Sequence, residues 1–294
     1  MIHIEGMGWF GAAMAYRLHA DGIPFTWHDI DTPVNAWQAS AGMVYPAGDD
    51  RSTVNLTRWP TLAGIFPPGT VIPAAFAYPH THPPHAGTYR TRLDLGWIRV
   101  ADAPAYAVDV PAIVNTARAQ FADRRLSGPV PGKPTIIAHG HTDRRSTWIW
   151  SWTAPVRLHL PDALHHAVPE RIAFYGRTHR FARTYAFPIP TRPNWWWAGT
   201  SLLNQRRPHP LNPDLHLTSW RRNVGQLYPW VRIVDNEPAI HGWRARQRPD
   251  DRGYLECDGD RLMFPALANS GVRWAPTLLD DAAAWAAART RTHV

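Results

Sequence analysis

Gly6, Gly8 and Gly11 stand at G-x-G-x-x-G spacing, and Asp29 lies 18 residues after Gly11. Recognition of a dinucleotide is the chemistry that such residues can do. Gly6 permits a tight turn out of a strand. Gly8 lets main chain approach a pyrophosphate with no Cβ in the way, and Gly11 lets a helix pack closely on that strand. A carboxylate at Asp29 accepts hydrogen bonds from a ribose 2′-OH and disfavours a 2′-phosphate, so NAD or FAD suits the site better than NADP. Trp9, Phe10 and Ile30 lie directly beside these positions and belong to the same expected cofactor site.

A βαβ unit must position those residues, and the pattern supplies one. Met1-Ile2-His3-Ile4 reads as a short strand, Ala12 to Ala20 as an Ala-rich helical run, and Phe25-Thr26-Trp27-His28 as a second strand ending on Asp29. Phosphates sit at the N-terminus of such a helix, where free N–H groups and the helix dipole favour negative charge. Two further stretches bring main chain close to a ligand. One is the small-residue run Ser40-Ala41-Gly42-Met43-Val44-Tyr45-Pro46, and the other is the apolar strand Thr135 to Ala138 running into His139-Gly140.

The chain has 294 residues and 45% hydrophobic content, enough for one large or two modest globular domains. No apolar run reaches the roughly 18 residues that a membrane span needs, and the N-terminal strand carries no basic leader region. The single cysteine, Cys257, excludes an internal disulfide and a Cys-based zinc site and fits a reducing cytoplasm. Net charge is +8, carried almost wholly by arginine because Lys133 is the one lysine, and sixteen tryptophans accompany it. Codon usage in a GC-rich genome accounts for most of this composition. A nucleic-acid partner stays open, since arginine pairs with phosphate and aromatics stack on bases.

Further along, residues 59 to 90 are rich in Pro, Gly and His and read as surface loops. Within them Tyr78 to His85 has the composition of a metal site, but its prolines and the lack of a nearby acid favour a rigid polar loop. No metal is expected. Residues 88 to 100 alternate as strands do. Asp109 is placed to cap a helix beginning near Pro111. Ile172 to Tyr175, Thr184 to Pro190 and Trp195 to Ser201 read as strands, and the tryptophan triple reads as a bulky strand packing on both faces in preference to a stacking platform. A helix is expected from Leu215 to about Leu227, strands at Glu237–Arg244 and Arg261–Phe264, and a final Ala-rich helix from about Asp280, whose carboxylate with that of Asp281 suits a helix start.

Taken in order, these segments resemble the D-amino-acid oxidase and glycine oxidase family of FAD enzymes over most of the chain. Ser40 to Pro46 is similar to the small-residue segment beside the flavin. Ile136-Ile137-Ala138-His139-Gly140 is similar to the family's VVxAxG strand. Phe187 to Pro190 through Ala198 to Ser201 resembles the substrate-domain hairpin, and Leu227-Tyr228-Pro229 with Ile240 to Arg244 resembles the LlP…GlRP passage. Ala268 to Pro276 resembles the loop at the flavin pyrimidine. The β-meander expected between the helix after Pro111 and the strand at Thr135 is nearly absent, Ala266-Leu267-Ala268 replaces the central Gly-His, and Ala245 replaces the proline after Arg244.

The resemblance implies an α/β fold: a Rossmann-like FAD-binding domain (residues 1–58, 112–147 and 238–294) and a second, antiparallel-sheet substrate or cap domain (59–111 and 148–237). It implies non-covalent FAD, held by Gly6, Gly8, Trp9, Phe10, Gly11, Asp29, Ile30, Ser40, Ala41, Gly42, Met43, Gly140, Asn269, Ser270, Gly271 and Val272. Cys257 lies in no recognisable flavin-attachment motif. The implied reaction is oxidation of a C–N bond of an amine or amino acid, with hydride passing to flavin N5 and the imine hydrolysing. Arg244 leads as the carboxylate-binding arginine, ahead of Arg246 and Arg183. Tyr185, Tyr89 and Tyr78 are the candidate pocket tyrosines, and His179 and His241 are read as structural histidines in preference to pocket-lining ones. The same C–N cleavage on an amino-acid-modified nucleobase in DNA is the alternative, and a flavoprotein-fold binding module without chemistry is the third reading.

Overall fold

The computed structural model describes residues 1–29, 37–38, 40–45, 50–79, 89–91, 98–101, 104–138, 147–162, 164, 168, 171–179, 182–205, 213–228, 230–246, 255–264 and 271–291. Two sheets organise them. The smaller runs β15-β16-β8-β1-β2, built from Glu256–Asp258, Arg261–Met263, Thr135–Ile137, Ile2–Glu5 and Phe25–His28. Here β1 pairs in parallel with β2 on one side and β8 on the other, and β16 continues the parallel set. Helices α1 (Trp9–Ala20), α3 (Val110–Gln120) and α5 (Gly271–Arg291) pack with it, together with α2 (Asp50–Ala63). Their buried faces meet Ile2, Ile4, Phe25, Trp27 and Ile136 in one hydrophobic cluster. This is the expected βαβ unit, with strands and first helix where the periodicity puts them.

The larger sheet is mostly antiparallel. Its central path is β13 (Arg232–Asn236), β9 (Thr147–His159), β12 (Trp195–Gln205), β11 (Ala182–Pro188), β10 (Arg171–His179), β4 (Val71–Pro79), β6 (Ile98–Ala101) and β5 (Tyr89–Thr91). Strand β14 (Ile240–Arg246) pairs with β9, and β7 (Ala105–Val108) links β4 to β3 (Gly42–Val44). Helix α4 (Pro213–Leu227) covers one face through Trp220 and Val224. Trp196 and Trp197 are both buried on β12, on opposite faces by strand alternation, as the bulky-strand reading requires.

Asp109 caps α3 by accepting from the Ala112 N–H at 3.1 Å, as its position before Pro111 indicates. Its other oxygen accepts from the Thr191 hydroxyl in the β11–β12 hairpin. One buried carboxylate thus ties a helix of the first cluster to a turn of the larger sheet.

Two expectations are corrected. Residues 59 to 90 are not all loop: α2 runs to Ala63 and β4 spans Val71–Pro79. Leu56, Trp59 and Leu62 recur at helical spacing and are buried, and this packing outweighs Pro60. The final helix starts at Gly271, not near Asp280. Pro276 lies inside it, and Asn55 accepts from the Thr277 N–H at 3.2 Å, satisfying a donor just beyond the proline. Asp280 sits mid-helix and pairs with Arg17 and Arg58. Among the described residues no helix is long and apolar enough to cross a membrane.

Candidate cofactor and substrate site

The turn after β1 is shaped by its glycines. Gly6 has φ +94°, a region that residues with a Cβ rarely adopt, and its N–H donates to the His28 carbonyl at 2.9 Å. Gly8 is the N-cap of α1 in extended conformation. Among the described residues no side chain caps this helix, and no acidic residue occupies its first turn. The helix therefore presents N–H groups without a side-chain acceptor, at the positive end of its dipole. A Cβ at Gly11 would overlap the Gly6 carbonyl oxygen and stand 2.9 Å from its carbon. The third glycine is thus what lets α1 cross the strand end so closely. These features fit the pyrophosphate of a dinucleotide.

Asp29 stands at the end of β2 with its side chain largely buried, and the Arg118 guanidinium of α3 donates to its carboxylate. Arg118 also donates to the Met7 carbonyl at 3.2 Å and lies 5.3 Å over the Trp37 ring. Trp37 in turn lies beside Gly8, 3.6 Å from where a Cβ would be. Asp29, Arg118 and Trp37 therefore form one cluster at the glycine turn. Trp9 and Phe10 are half-buried at the start of α1. Trp9 packs on Trp59 and Phe66, and Phe10 stacks on Phe264 at 4.7 Å. Both pack against the hydrophobic cluster under the parallel sheet.

Strand β3 is the seam between the two sheets. Val44 belongs to the cluster under the parallel sheet, and Met43 to an aromatic cluster on the larger one. Gly42 lies so close to β7 that a Cβ would overlap the Val108 carbonyl oxygen. Ser40 and Ala41 lead into the strand, with the Ser40 N–H donating to the Trp37 carbonyl at 3.1 Å. The aromatic cluster holds Phe76, Tyr185 and Phe187, with Tyr45 stacked on Phe76 at 4.2 Å and Tyr175 beside both. Arg273, in the first turn of α5, lies 5.6 Å over the Tyr45 ring. Gly271 opens that helix and Val272 is buried behind it.

Tyr185 is 6% exposed and stacks on Phe187 at 4.7 Å. Its hydroxyl is buried with no hydrogen-bond partner among the described residues. Gly199 faces it across the β11–β12 ladder, where a Cβ would overlap that hydroxyl. The register carries this face further. Tyr185 pairs with Gly199, Gly199 with Thr153 and Thr153 with Ile240. Alternation along β14 then gives the positions of Arg244 and Arg246 the same face as Tyr185. They stand opposite Ile149 and Thr147 of β9.

Among the other expected site residues, Ile30, Gly140, Asn269 and Ser270 lie outside the described residues, as does the His80 to His85 run. Arg183 and His179 fall on strand ends, and Tyr78, Tyr89 and His241 on β4, β5 and β14. The sequence reading missed Arg118, Trp37, Phe76, Tyr175 and Arg273. Phe76 alternates with alanines on its strand, and Tyr175 follows Phe174 in an apolar strand run. Arg118 and Trp37 carry no local signal, because only the tertiary fold brings them to Asp29.

No protein-family model and no curated protein matches this sequence. Solved structures do. Glycine oxidase from Geobacillus kaustophilus superposes with a TM-score of 0.71 at 12% identity, over 98% of this chain and 94% of that one. The chain has the fold of glycine oxidase. Iminodiacetate oxidase from Chelativorans sp. BNC1 is similar at TM-score 0.65 and 15% identity, over 95% and 93% of the two chains. Glycerol-3-phosphate dehydrogenase from Bacillus halodurans, complexed with FAD, is similar at TM-score 0.56 and 13% identity, over 97% of this chain and 64% of that one. The glycine-oxidase fold accounts for the paired sheets, with the glycine turn on the parallel one and the aromatic face on the other.

Proposed function

We propose that this chain is an FAD-dependent oxidoreductase that oxidises a C–N bond of a small-molecule amine or amino acid. The observation that carries the reading is the α1 N-terminus, uncapped by any side chain among the described residues and reached through Gly6, Gly8 and Gly11. That is a site for a pyrophosphate, and the fold supplies the rest of the expectation. The division of roles is a cofactor domain of residues 1–58, 112–147 and 238–294, with a substrate domain of 59–111 and 148–237, except that β14 (Ile240–Arg246) belongs with the substrate domain through its pairing with β9.

In this reading the glycine turn and α1 hold the pyrophosphate, and Asp29 accepts from the ribose. Ser40 to Met43, Gly271 and Val272 lie along the ring system. Bound flavin supplies the acceptor for the hydride that leaves the carbon next to nitrogen. The protein contributes position and a dry wall. Phe76, Tyr175, Tyr185 and Phe187 exclude water from one side of the substrate. The buried Tyr185 hydroxyl donates to a substrate carboxylate, and Arg244, with Arg246 second, supplies its countercharge on the same sheet face. No observation favours a nucleobase in DNA over a free amine.

Anaerobic reduction of the flavin, screened against amino acids, secondary amines and amino-acid-modified DNA, tests this reading. Bleaching by a free amine or amino acid is the expected result. A purified protein that is colourless and takes up no FAD overturns it.

A further inference from the structure

The parallel sheet carries a polar constellation that the oxidation chemistry does not use. In β1 and β2 the register pairs Ile2 with Phe25, His3 with Thr26, Ile4 with Trp27 and Glu5 with His28. Alternation puts Ile2, Ile4, Phe25 and Trp27 on the helix-covered face, in the core. His3, Glu5, Thr26 and His28 fall on the other. His3 has 0% exposure and His28 9%. Two histidines are costly to bury in a parallel sheet, with half-buried Glu5 beside them, and apolar residues would fill strand positions of this kind without that cost.

The side chains converge. His3 Nε2 is 2.8 Å from His28 Nδ1, and His3 Nδ1 is 3.0 Å from the Thr26 hydroxyl. The two ring planes differ by 6° with centroids 5.0 Å apart, so the rings lie edge to edge with nitrogens facing. One ligand atom each from His3, Glu5 and His28 lie within 4.8 Å of one another. Two imidazole nitrogens and one carboxylate form a donor set for borderline ions such as Zn²⁺, Co²⁺ or Ni²⁺, whereas Mg²⁺ and Ca²⁺ prefer all-oxygen sites. Thr26 adds the supporting contact that a ligating histidine needs: with its hydroxyl accepting from Nδ1–H, it leaves Nε2 as the ligand nitrogen.

We propose that His3, Glu5 and His28 bind one divalent transition-metal ion of the Zn²⁺ class on the face of the parallel sheet away from α1. Zn–N distances of about 2.0–2.1 Å place two ligand nitrogens on one ion at about 3.3 Å, so the histidine pair opens by roughly half an ångström and tilts toward a common point. Glu5, one strand position before the Gly6 turn, completes three protein ligands, and solvent takes the remaining coordination. The site stands independently of the redox reading.

Zn²⁺ titrated into chelator-treated, untagged full-length protein, in competition with a chromophoric chelator, tests the proposal. One equivalent is expected, with binding weakened at least about 100-fold in His28→Asn and at least about 10-fold in Glu5→Gln. Zn²⁺ should raise the Tm of the wild type and leave that of His28→Asn unmoved. Circular dichroism and the thermal transition without added Zn²⁺ establish that both variants fold. His28 and Glu5 are chosen because replacing fully buried His3 threatens the sheet itself. Absence of stoichiometric Zn²⁺ binding overturns the proposal. So does wild-type affinity in both variants, which would locate the ion elsewhere in the chain.

Discussion

The guanidinium of Arg118 on α3 donates to the carboxylate of Asp29 at the end of β2. It brings a cation to the position where a ribose acceptor is expected, and Trp37 lies against it. The pair orients the carboxylate and neutralises it in a largely buried place. Removing either partner should therefore act differently. With Asp29 as the proposed ribose acceptor, Asp29→Ala should lower FAD affinity by about 10- to 100-fold, the value of a charged hydrogen bond. Arg118→Ala leaves the carboxylate without this partner and should lower the Tm as well as FAD affinity. Flavin fluorescence titration with thermal unfolding of both variants checks this. Unchanged FAD affinity in Asp29→Ala would remove Asp29 from the site.

Gly8 and Gly11 occupy the same motif yet meet different surroundings. At Gly11 a Cβ would overlap the Gly6 carbonyl, which is backbone and cannot step aside. At Gly8 it would reach Trp37 at 3.6 Å, an ordinary contact. Gly11→Ala should then destabilise the protein by about 2–4 kcal/mol, since helix and strand must separate. Gly8→Ala should fold with nearly the wild-type Tm and show its defect in FAD binding alone. Equal Tm losses in the two variants would contradict the separate roles assigned to them.

Those glycines were legible because backbone chemistry is written locally: a turn with φ above zero and a close crossing both require glycine within a few residues. The Asp109 cap was legible for the same reason. The start of α5 was not, because Pro276 and the Asp280-Asp281 pair imitate a helix beginning. Burial at Val272, Ala275, Leu279, Ala282 and Ala286 shows a helical period that already runs through the proline. Strand β4 was hidden by Pro73 and Pro79, which its neighbours in the sheet tolerate. The cluster of Tyr45, Phe76, Tyr175 and Tyr185 joins four separate segments, so no local pattern could assemble it.

Tyr16 gives a prediction about alkaline pH. Its ring packs edge-on against Phe66 and Phe121, and its hydroxyl is buried without a partner among the described residues. Burial pushes the phenol from 10.0 up to about 12. The unfolded chain thus loses this proton first. The contribution of Tyr16 to stability is complete below pH 10 and is lost as pH rises toward 12, at about 1.4 kcal/mol per pH unit. Tyr16→Phe should remove that part of the alkaline decline. At pH 7 it should not lower the Tm, because an unpaired buried hydroxyl stabilises nothing. Thermal unfolding of both proteins from pH 7 to 11 decides it, and a clearly lower Tm for Tyr16→Phe at pH 7 would mean that the hydroxyl has a partner.

Tyr185 offers the sharpest separation of substrate contact from packing. Its ring supports Phe187 and lies over Gly199, while its hydroxyl finds no protein partner among the described residues. Tyr185→Phe keeps the ring and its burial. If the hydroxyl donates to a substrate carboxylate, the variant should retain FAD and its Tm while kcat/KM falls by about 10- to 100-fold, the value of one hydrogen bond to a charged group. Substrates without a carboxylate should feel little of this loss. Gly199→Ala tests the same place from the other side: its Cβ would overlap both the Trp152 carbonyl and the Tyr185 hydroxyl, so it should lower activity and Tm together. Steady-state kinetics on a matched amino acid and amine, beside thermal unfolding, distinguish the cases. An unchanged kcat/KM in Tyr185→Phe for a carboxylate substrate would assign Tyr185 to packing alone.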